Sequence, residues 1–208
     1  MEEIAAYMKL IFATNNQHKI DEVRSAIEVQ NILEIITLRE AGIEIEIPEP
    51  YSTLEENASH KSRTVYALTR ASGLAIGCFS EDTGLEVQAL NGEPGVKSAR
   101  YAGEDKSFDK NIGKLLHKLQ GSSNREARFR AVISLIIEDK EHLFEGVCPG
   151  RIIDHRRGGE GFGYDPVFVP DGAIHTFAEM DMTDKNRFSH RKKAIDKLVG
   201  YLSKEVLA

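Results

Sequence analysis

The stretch Ser80–Leu85 (Ser-Glu-Asp-Thr-Gly-Leu) constrains this chain most, because it places two adjacent carboxylates between apolar segments. Leu74–Phe79 is an apolar run typical of a buried strand, and residues 85–89 alternate between apolar and polar side chains. We therefore expect Glu81 and Asp82 at a tight bend between two strands. Because a charge without a partner is costly to remove from water, the bend predicts a bound divalent cation or buried donors. The alternative is a solvated hairpin corner with Thr-Gly as its turn.

Length and charge limit the classes of protein to be considered. The 208 residues contain no low-complexity linker and predict one domain over residues 1–208, with an N-terminal extension at 1–8. A net charge of −6 argues against nucleic-acid binding, so an anionic ligand would need a local basic cluster. We expect no signal peptide and no membrane association. Cys78 and Cys148 each lie in an apolar run, which favours core thiols in a reducing cytoplasm over a disulfide or a zinc site.

The first strand, predicted over residues 9–14, is followed directly by a polar turn and a helix with Ile20, Val23 and Ile27 at helical spacing. Backbone N–H groups and the helix dipole at such a junction favour a phosphate. The glycines of a P-loop are missing, and the polar residues of the turn are also ordinary helix caps, so both interpretations stay open.

The segment 43–50 combines alternating isoleucine and glutamate with Pro48-Glu49-Pro50, which enforces an extended backbone around Glu49. Ser52 or Thr53 then predicts a helix start, with a glutamate three residues later to complete a capping box. We expect this helix to end near Gly73 and to bury Leu54, Ala58, Val65 and Leu68. Glu56 either caps the helix or joins a cation site.

Two further segments are expected to have a structural role and to contribute no site residues. Ser107 precedes an amphipathic helix with one apolar stripe, and residues 125–137 and 142–153 predict an antiparallel pair of strands. The stripe consists of Phe108, Ile112, Leu115, Leu116 and Leu119.

A glycine-rich basic loop at 156–161 leads into Phe162-Gly163-Tyr164-Asp165. Glycine on both sides of an aromatic residue lets the backbone and the ring approach a flat ligand, which suits stacking on a base. The alternative is a loop aromatic that plugs the core.

The last helix begins against local rules. Ser189 is a natural N-cap, but the first turn is His190-Arg191-Lys192-Lys193, and Lys185 and Arg187 precede it. Cations there oppose the helix dipole by roughly 0.3 to 1 kcal/mol each. In an acidic protein this pattern predicts a bound negative or electron-rich group, with a solvated basic helix start as the alternative.

Together these parts are the ones that a metal-dependent nucleotide enzyme needs: carboxylates for a cation, an anion site, an aromatic platform and a basic edge. Their order and spacing resemble the inosine triphosphate pyrophosphatase family, also called dITP/XTP pyrophosphatases, from about Lys9 to Leu202. The resemblance rests on seven motifs: Thr14–Lys19, Pro48-Glu49, Glu56–Lys61, Glu81–Leu85, Pro94-Gly95 with Ser98–Tyr101, Gly161–Pro166 and Ser189–Arg191.

The resemblance implies an α/β fold with an elongated mixed β-sheet flanked by helices and two lobes with a nucleotide-binding groove between them. It implies Mg²⁺-dependent hydrolysis of ITP, dITP or XTP to the monophosphate and pyrophosphate. It also implies a homodimer.

Matched by position, Asp82 corresponds to the general base and a metal ligand, and Glu49 to the second metal carboxylate. The predicted triphosphate contacts are Thr14, Asn15, Asn16, Gln17, His18, Lys19 and Lys61, and Thr83 is a further predicted substrate contact. The predicted nucleobase pocket is Phe162, Gly163, Tyr164, Asp165, Lys185, His190 and Arg191. Glu81 stands where many bacterial members carry Asp, so only Asp82 is assigned the catalytic role.

This resemblance predicts that Asp82 accepts a proton from water that attacks the α-phosphorus, while Lys19 and Lys61 neutralise pyrophosphate. Donors at His190 and Arg191 would pair with the 6-oxo group and reject adenine. Two alternatives are an aspartic protease, from the triplet Asp82-Thr83-Gly84, and a nucleotide sensor that binds without turnover.

Overall fold

The computed structural model describes residues 8–27, 33–73 and 77–206 and has an α/β fold. The strands are β1 (Met8–Phe12), β2 (Leu33–Thr37), β3 (Cys78–Val87), β4 (Pro94–Gly95), β5 (Glu126–Ile137), β6 (Lys140–Ile152) and β7 (Phe168–Pro170). The helices are α1 (Gln17–Ile27), α2 (Leu54–Ala71), α3 (Phe108–Lys118), α4 (Met182–Asn186) and α5 (His190–Tyr201), and a π-helical segment Leu202–Val206 follows α5. Short 3₁₀ turns lie at Gln88–Leu90, Ser98–Arg100, Asp165–Val167 and Phe177–Glu179.

All the strands belong to one mixed sheet with the order β2-β1-β3-β5-β6-β7, and β4 pairs with β3 outside this path. Strand β1 is parallel to both β2 and β3, whereas β4 is antiparallel to β3 and β7 is antiparallel to β6. The predicted mixed sheet flanked by helices is therefore confirmed.

The described chain divides into two compact units, and β3, β5 and β6 contribute residues to both. Unit 1 comprises residues up to Asp82, 132–145 and the chain from Arg191 onwards, and unit 2 comprises 83–131 and 146–190. The predicted extension at residues 1–7 lies outside the described residues, and β1 begins at Met8.

Each unit has its own apolar core. In unit 1, Ile11, Val65 and Ile136 pack together, and Ile43, Ile45 and Ile47 lie half-buried against them. The alternation predicted over 43–50 is therefore present, but the segment forms no strand. In unit 2, the stripe of α3 from Ile112 onwards packs with the aromatic residues of β5, β7 and the 3₁₀ turn Phe177–Glu179.

Two residues that were predicted to be buried are exposed. Leu68 of α2 and Phe108 of α3 are 41% and 42% exposed. Both stand at helical spacing from buried residues, so their periodicity predicts burial that the structure does not show. The rest of α2 follows the prediction, with Thr53 as its N-cap and Gly73 in the left-handed conformation after its end.

The predicted bend at residues 80–85 is wrong, because β3 runs from Cys78 to Val87 without interruption. Residues 74–76 of the apolar run before it lie outside the described residues. Gly84 is needed for a close approach rather than for a turn: a Cβ there would lie 2.7 Å from the carbonyl oxygen of Gly95. Glu81 and Asp82 therefore occupy a central strand of the sheet.

In the part of the chain that the structure describes, no helix combines the length and the apolar character that a membrane crossing needs.

Candidate active site

Lys61 of α2 is the centre of a buried charged cluster in unit 1. Its ammonium donates to Glu49 Oε1 at 2.5 Å, to the carbonyl oxygen of Glu81 at 2.9 Å and to Asp82 Oδ1 at 3.3 Å. The side chains of Lys61 and Asp82 are only 8% and 7% exposed, whereas Glu49 is 28% exposed. The extended backbone around Glu49 and the strand β3 thus bring both predicted metal carboxylates to one lysine.

Glu81 links two other predicted site residues in unit 1. Its fully buried carboxylate lies 2.9 Å from Lys19 Nζ through Oε2 and 3.0 Å from an Arg191 guanidinium nitrogen through Oε1. Lys19 also donates to the carbonyl oxygen of Glu81 at 3.3 Å. Arg191 is 2% exposed and is held from a second direction by Glu22 of α1. Glu81 and Glu22 therefore fix the orientation of the Arg191 guanidinium group.

Burial and charge act against each other on the pKa values of this cluster. Burial raises the pKa of Asp82, and the charges of Lys61 and Lys19 oppose the rise without cancelling it. Burial alone would raise the pKa of Glu49 and lower that of Lys61, but their mutual attraction reverses both directions. Asp82 is therefore a better proton acceptor than an ordinary aspartate, while Lys61 stays charged.

The cluster has the properties of a cation site on two counts. Four carboxylates (Glu22, Glu49, Glu81, Asp82) face three cations (Lys19, Lys61, Arg191), which leaves one excess negative charge. Asp82 Oδ2 is buried and has no hydrogen-bond partner among the described residues. No group of three or more His, Cys, Asp or Glu side chains within the described ranges has the geometry of a metal centre. The two carboxylates of Asp82 and Glu49 still fit Mg²⁺, because this ion usually takes one or two protein carboxylates and completes its shell with phosphate and water.

The predicted phosphate segment Thr14–Lys19 comprises the turn before α1 and the first three residues of that helix. Asn16 Oδ1 accepts the backbone N–H of Lys19 at 3.3 Å, and Thr14 Oγ1 accepts that of Asn16 at 3.2 Å. Asn16 therefore acts as the cap that the sequence left as an alternative. Asn15 donates to the carbonyl oxygen of Ile45, and the exposed Gln17 donates to Asp21, one turn further along α1. His18 is exposed, and only Lys19 reaches the buried cluster.

Asp165 organises the predicted base pocket in unit 2. Its carboxylate accepts the backbone N–H of Phe162 at 2.9 Å and the ammonium of Lys185 at 2.6 Å. The same ammonium lies 5.4 Å from the ring centre of Phe162 and 5.2 Å from that of Phe177. Lys185 is thereby held against the face of the predicted base platform.

The remaining predicted pocket residues of unit 2 lie around this group. Gly163 has a φ of +63°, which an L side chain rarely adopts. Tyr164 is buried and donates its hydroxyl to the carbonyl oxygen of Ser98 at 2.9 Å, which favours a structural role. His190 is buried, and its ring is stacked on Phe129 at 4.8 Å. Thr83 is half-buried in β3, next to Asp82 in the chain.

Internal carboxylates account for much of the positive charge near the start of α5. Arg191 pairs with Glu22 and Glu81, and Lys192 pairs with Asp196 one turn later. Glu22 could not be predicted from the sequence, since periodicity gives no signal for a buried acid on α1. An arginine that opposes a helix dipole in an acidic chain is the one hint that such a partner exists.

Comparison with known proteins gives consistent matches along nearly the whole chain. The model of the Ham1 family matches residues 10–201. A dITP/XTP pyrophosphatase of Porphyromonas gingivalis is 48% identical over 195 residues, which cover 93% of this chain and 97% of that protein. A dITP/XTP pyrophosphatase of Christiangramia forsetii is 43% identical over 197 residues, covering 95% and 100%. The solved structure of the Staphylococcus aureus Ham1 protein superimposes with a TM-score of 0.81 at 39% identity and covers 95% of this chain and 99% of its own.

These matches confirm the resemblance drawn from the seven motifs. The chain belongs to the Ham1 family.

Proposed function

We propose that this protein hydrolyses non-standard purine nucleoside triphosphates, namely ITP, dITP and XTP, to the monophosphate and pyrophosphate. It would thereby remove deaminated purines from the nucleotide pool. The observation that carries the proposal is the buried cluster in which Asp82, Glu49 and Lys61 meet. The relatives from Porphyromonas gingivalis and Christiangramia forsetii, both named dITP/XTP pyrophosphatases, support the same reaction.

Unit 1 would supply the phosphate chemistry. Asp82 accepts a proton from a water molecule, whose oxygen forms a bond to the α-phosphorus as the bridge to the β-phosphate breaks. The raised pKa of Asp82 suits this role. Lys19 and Lys61 are the cations that neutralise the departing pyrophosphate, and Glu81 keeps the Lys19 ammonium in place.

Asp82 and Glu49 would hold the divalent cation, which we propose to be Mg²⁺. The uncompensated Oδ2 of Asp82 and the excess negative charge of the cluster support this assignment. When bound, the ion would offset phosphate charge and orient the phosphate oxygens.

Unit 2 would supply the recognition of the base, with Phe162 as a stacking surface and Lys185 and His190 as polar contacts. Hypoxanthine and xanthine present an acceptor at position 6, whereas adenine presents an NH₂ donor. A pocket of donors would leave buried polar groups unpaired against adenine, which can reject the wrong substrate about 10⁴-fold. Arg191 of unit 1 is a further proposed contact of the base, and Glu22 and Glu81 orient its guanidinium group.

We also propose that the protein acts as a homodimer and works in the cytoplasm, as the family resemblance implies. The two buried cysteines, which form no disulfide, are compatible with a reducing compartment. Light scattering on the purified protein and fractionation of cells test these two points.

Asp82→Asn tests the proposed function, because it keeps the shape of the side chain and removes its basicity. We expect kcat for ITP to fall by about 100-fold or more, while calorimetry still detects binding of ITP. Asp171→Asn, at an exposed position of unit 2, is the matched control and should leave both quantities unchanged. Turnover at the normal rate in Asp82→Asn would remove the proposed base, and binding without turnover in the unmodified protein would indicate a sensor.

A further inference from the structure

Phe108 occupies an unusual place for a large apolar residue. It is the first residue of α3 after the N-cap Ser107, and it is 42% exposed, although the helix has a buried stripe only one turn further on. Its ring centre lies 6.2 Å from that of Phe162, with the two ring planes inclined by 48°. This distance and inclination are those of a favourable tilted aromatic pair. Phe108 thus contacts the residue that we propose as the base platform.

A second contact joins the same turn of α3 to the loop that carries Phe162. Arg156 donates to the side chain of Asp109 and, at 2.9 Å, to the backbone carbonyl oxygen of Asp109. Asp109 therefore holds the beginning of the loop at Arg156, and Phe108 contacts its end at Phe162.

The other contacts of this loop are made by its backbone and by the side chain of Arg157, which donates to the carbonyl oxygen of Ile174 at 3.0 Å. The N–H groups of Gly159 and Glu160 both donate to the carbonyl oxygen of Ala178, at 3.1 and 3.0 Å. Gly158 approaches the same residue so closely that a Cβ would lie 2.1 Å from its carbonyl oxygen. The glycines let the loop follow this backbone but contribute no side chains to orient Phe162. The first turn of α3 adds an aromatic contact to the Phe162 ring, which the Lys185 ammonium also approaches at 5.4 Å.

We infer that the first turn of α3 positions the base platform, with Phe108 as a positioning residue that fixes the orientation of the Phe162 ring. This inference rests on the proposed function, since it assigns Phe162 to stacking on the purine. It predicts that Phe108 affects the affinity for the base and leaves the phosphate chemistry unchanged.

Phe108→Ala removes the ring and should raise KM for ITP about twofold to tenfold at constant kcat, the size expected for one aromatic pair. Product inhibition separates the two halves of the substrate: the inhibition constant of IMP should rise by the same factor, and that of pyrophosphate should not change. Phe108→Tyr keeps the ring and should restore the original KM. Arg156→Ala removes the second contact and should shift KM in the same direction as Phe108→Ala.

Ile174→Ala is the matched control, because Ile174 is 76% exposed in the same unit. It should leave every constant unchanged. An unchanged KM in Phe108→Ala would overturn the inference, and so would an equal loss of IMP and pyrophosphate inhibition, which would indicate a general structural role.

A binding measurement keeps this inference separable from the proposed function. The chain contains no tryptophan, so Phe108→Trp introduces a single tryptophan beside Phe162, whose emission can be excited selectively over that of the tyrosines. Titration with IMP should quench its emission, whereas the emission of Ile174→Trp should not respond. If IMP quenches the fluorescence but ITP is not hydrolysed, the proposed function fails and the inference stands. If ITP is hydrolysed but neither KM nor fluorescence responds, the inference fails alone.

Discussion

Consecutive residues of a strand point to opposite faces of the sheet, which explains how β3 carries Glu81 and Asp82 side by side. The Glu81 side chain meets Lys19 and Arg191, and the Asp82 side chain meets Lys61. Each carboxylate has cations beside it, so much of the cost of burying two adjacent acids is offset within the chain. The sequence predicts a bound cation or buried donors beside these acids. The described residues supply donors and leave one oxygen of Asp82 for a cation.

Glu141 shows the same principle away from the proposed chemistry. Its carboxylate accepts a hydrogen bond from Ser134 at 2.8 Å and forms an ion pair with Arg63. The hydroxyl groups of Ser134 and Ser62 are hydrogen-bonded to each other at 2.7 Å. Burial would raise the pKa of Glu141, but hydrogen bonds from Ser59, Ser134 and Arg63 lower it overall. A carboxylate with a lowered pKa stabilises the fold above the pKa of the unfolded chain and loses this contribution as the pH falls through the folded value.

We therefore expect Glu141→Gln to lower the free energy of unfolding by about 1 to 2 kcal/mol at pH 7. The difference from the unmodified protein should stay constant down to about pH 4.3, the usual pKa of glutamate, and shrink below it. Urea denaturation at a series of pH values measures this difference. Glu138→Gln, at an exposed position of the same hairpin, is the control. A difference that stays constant to pH 3 would contradict the proposed hydrogen bonds.

Secondary-structure elements whose signals are local were predicted well. The start of α2 at Thr53, its end near Gly73 and the long pair β5 and β6 follow from capping residues, glycine and alternation. The bend in β3 was predicted wrongly, because a glycine in a strand indicates either a turn or a close backbone approach, and the sequence cannot distinguish them. The partner in this case, Gly95, is eleven residues away along the chain.

Gly84→Ala tests the close approach, since its Cβ would lie 2.7 Å from the carbonyl oxygen of Gly95. Backbone atoms cannot move aside as a flexible side chain can, so we expect a loss of about 1 to 3 kcal/mol in the free energy of unfolding. Gly113→Ala is the matched control in α3, where a Cβ meets nothing within 4 Å and should stabilise the helix by up to about 1 kcal/mol. Equal urea midpoints for the two variants would contradict the assigned register of β3 and β4.

At the scale of the whole molecule, most of the predicted site residues divide between the two units by chemistry, with Arg191 in unit 1 and Thr83 in unit 2 as exceptions. Glu49, Lys61 and Asp82 belong to unit 1, and Phe162 and Lys185 belong to unit 2. The chain crosses from one unit to the other within single strands or between adjacent residues, for example between Asp82 and Thr83. Hydrophobic periodicity therefore could not predict which unit a site residue belongs to. Family resemblance predicted the roles of these residues, but the positions of Glu22, Glu81 and Phe108 became visible only from contacts between residues distant in sequence.

The most direct test of the proposed function is to measure pyrophosphate release from ITP, dITP, XTP, ATP and dTTP, each with Mg²⁺ and with EDTA. We predict metal-dependent release from ITP, dITP and XTP at a kcat/KM at least about 100-fold above that of ATP and dTTP. Release that persists in EDTA would contradict the cation site at Asp82 and Glu49. Equal release from all five nucleotides would contradict the assigned base pocket, and no release from any of them would contradict the proposed function itself.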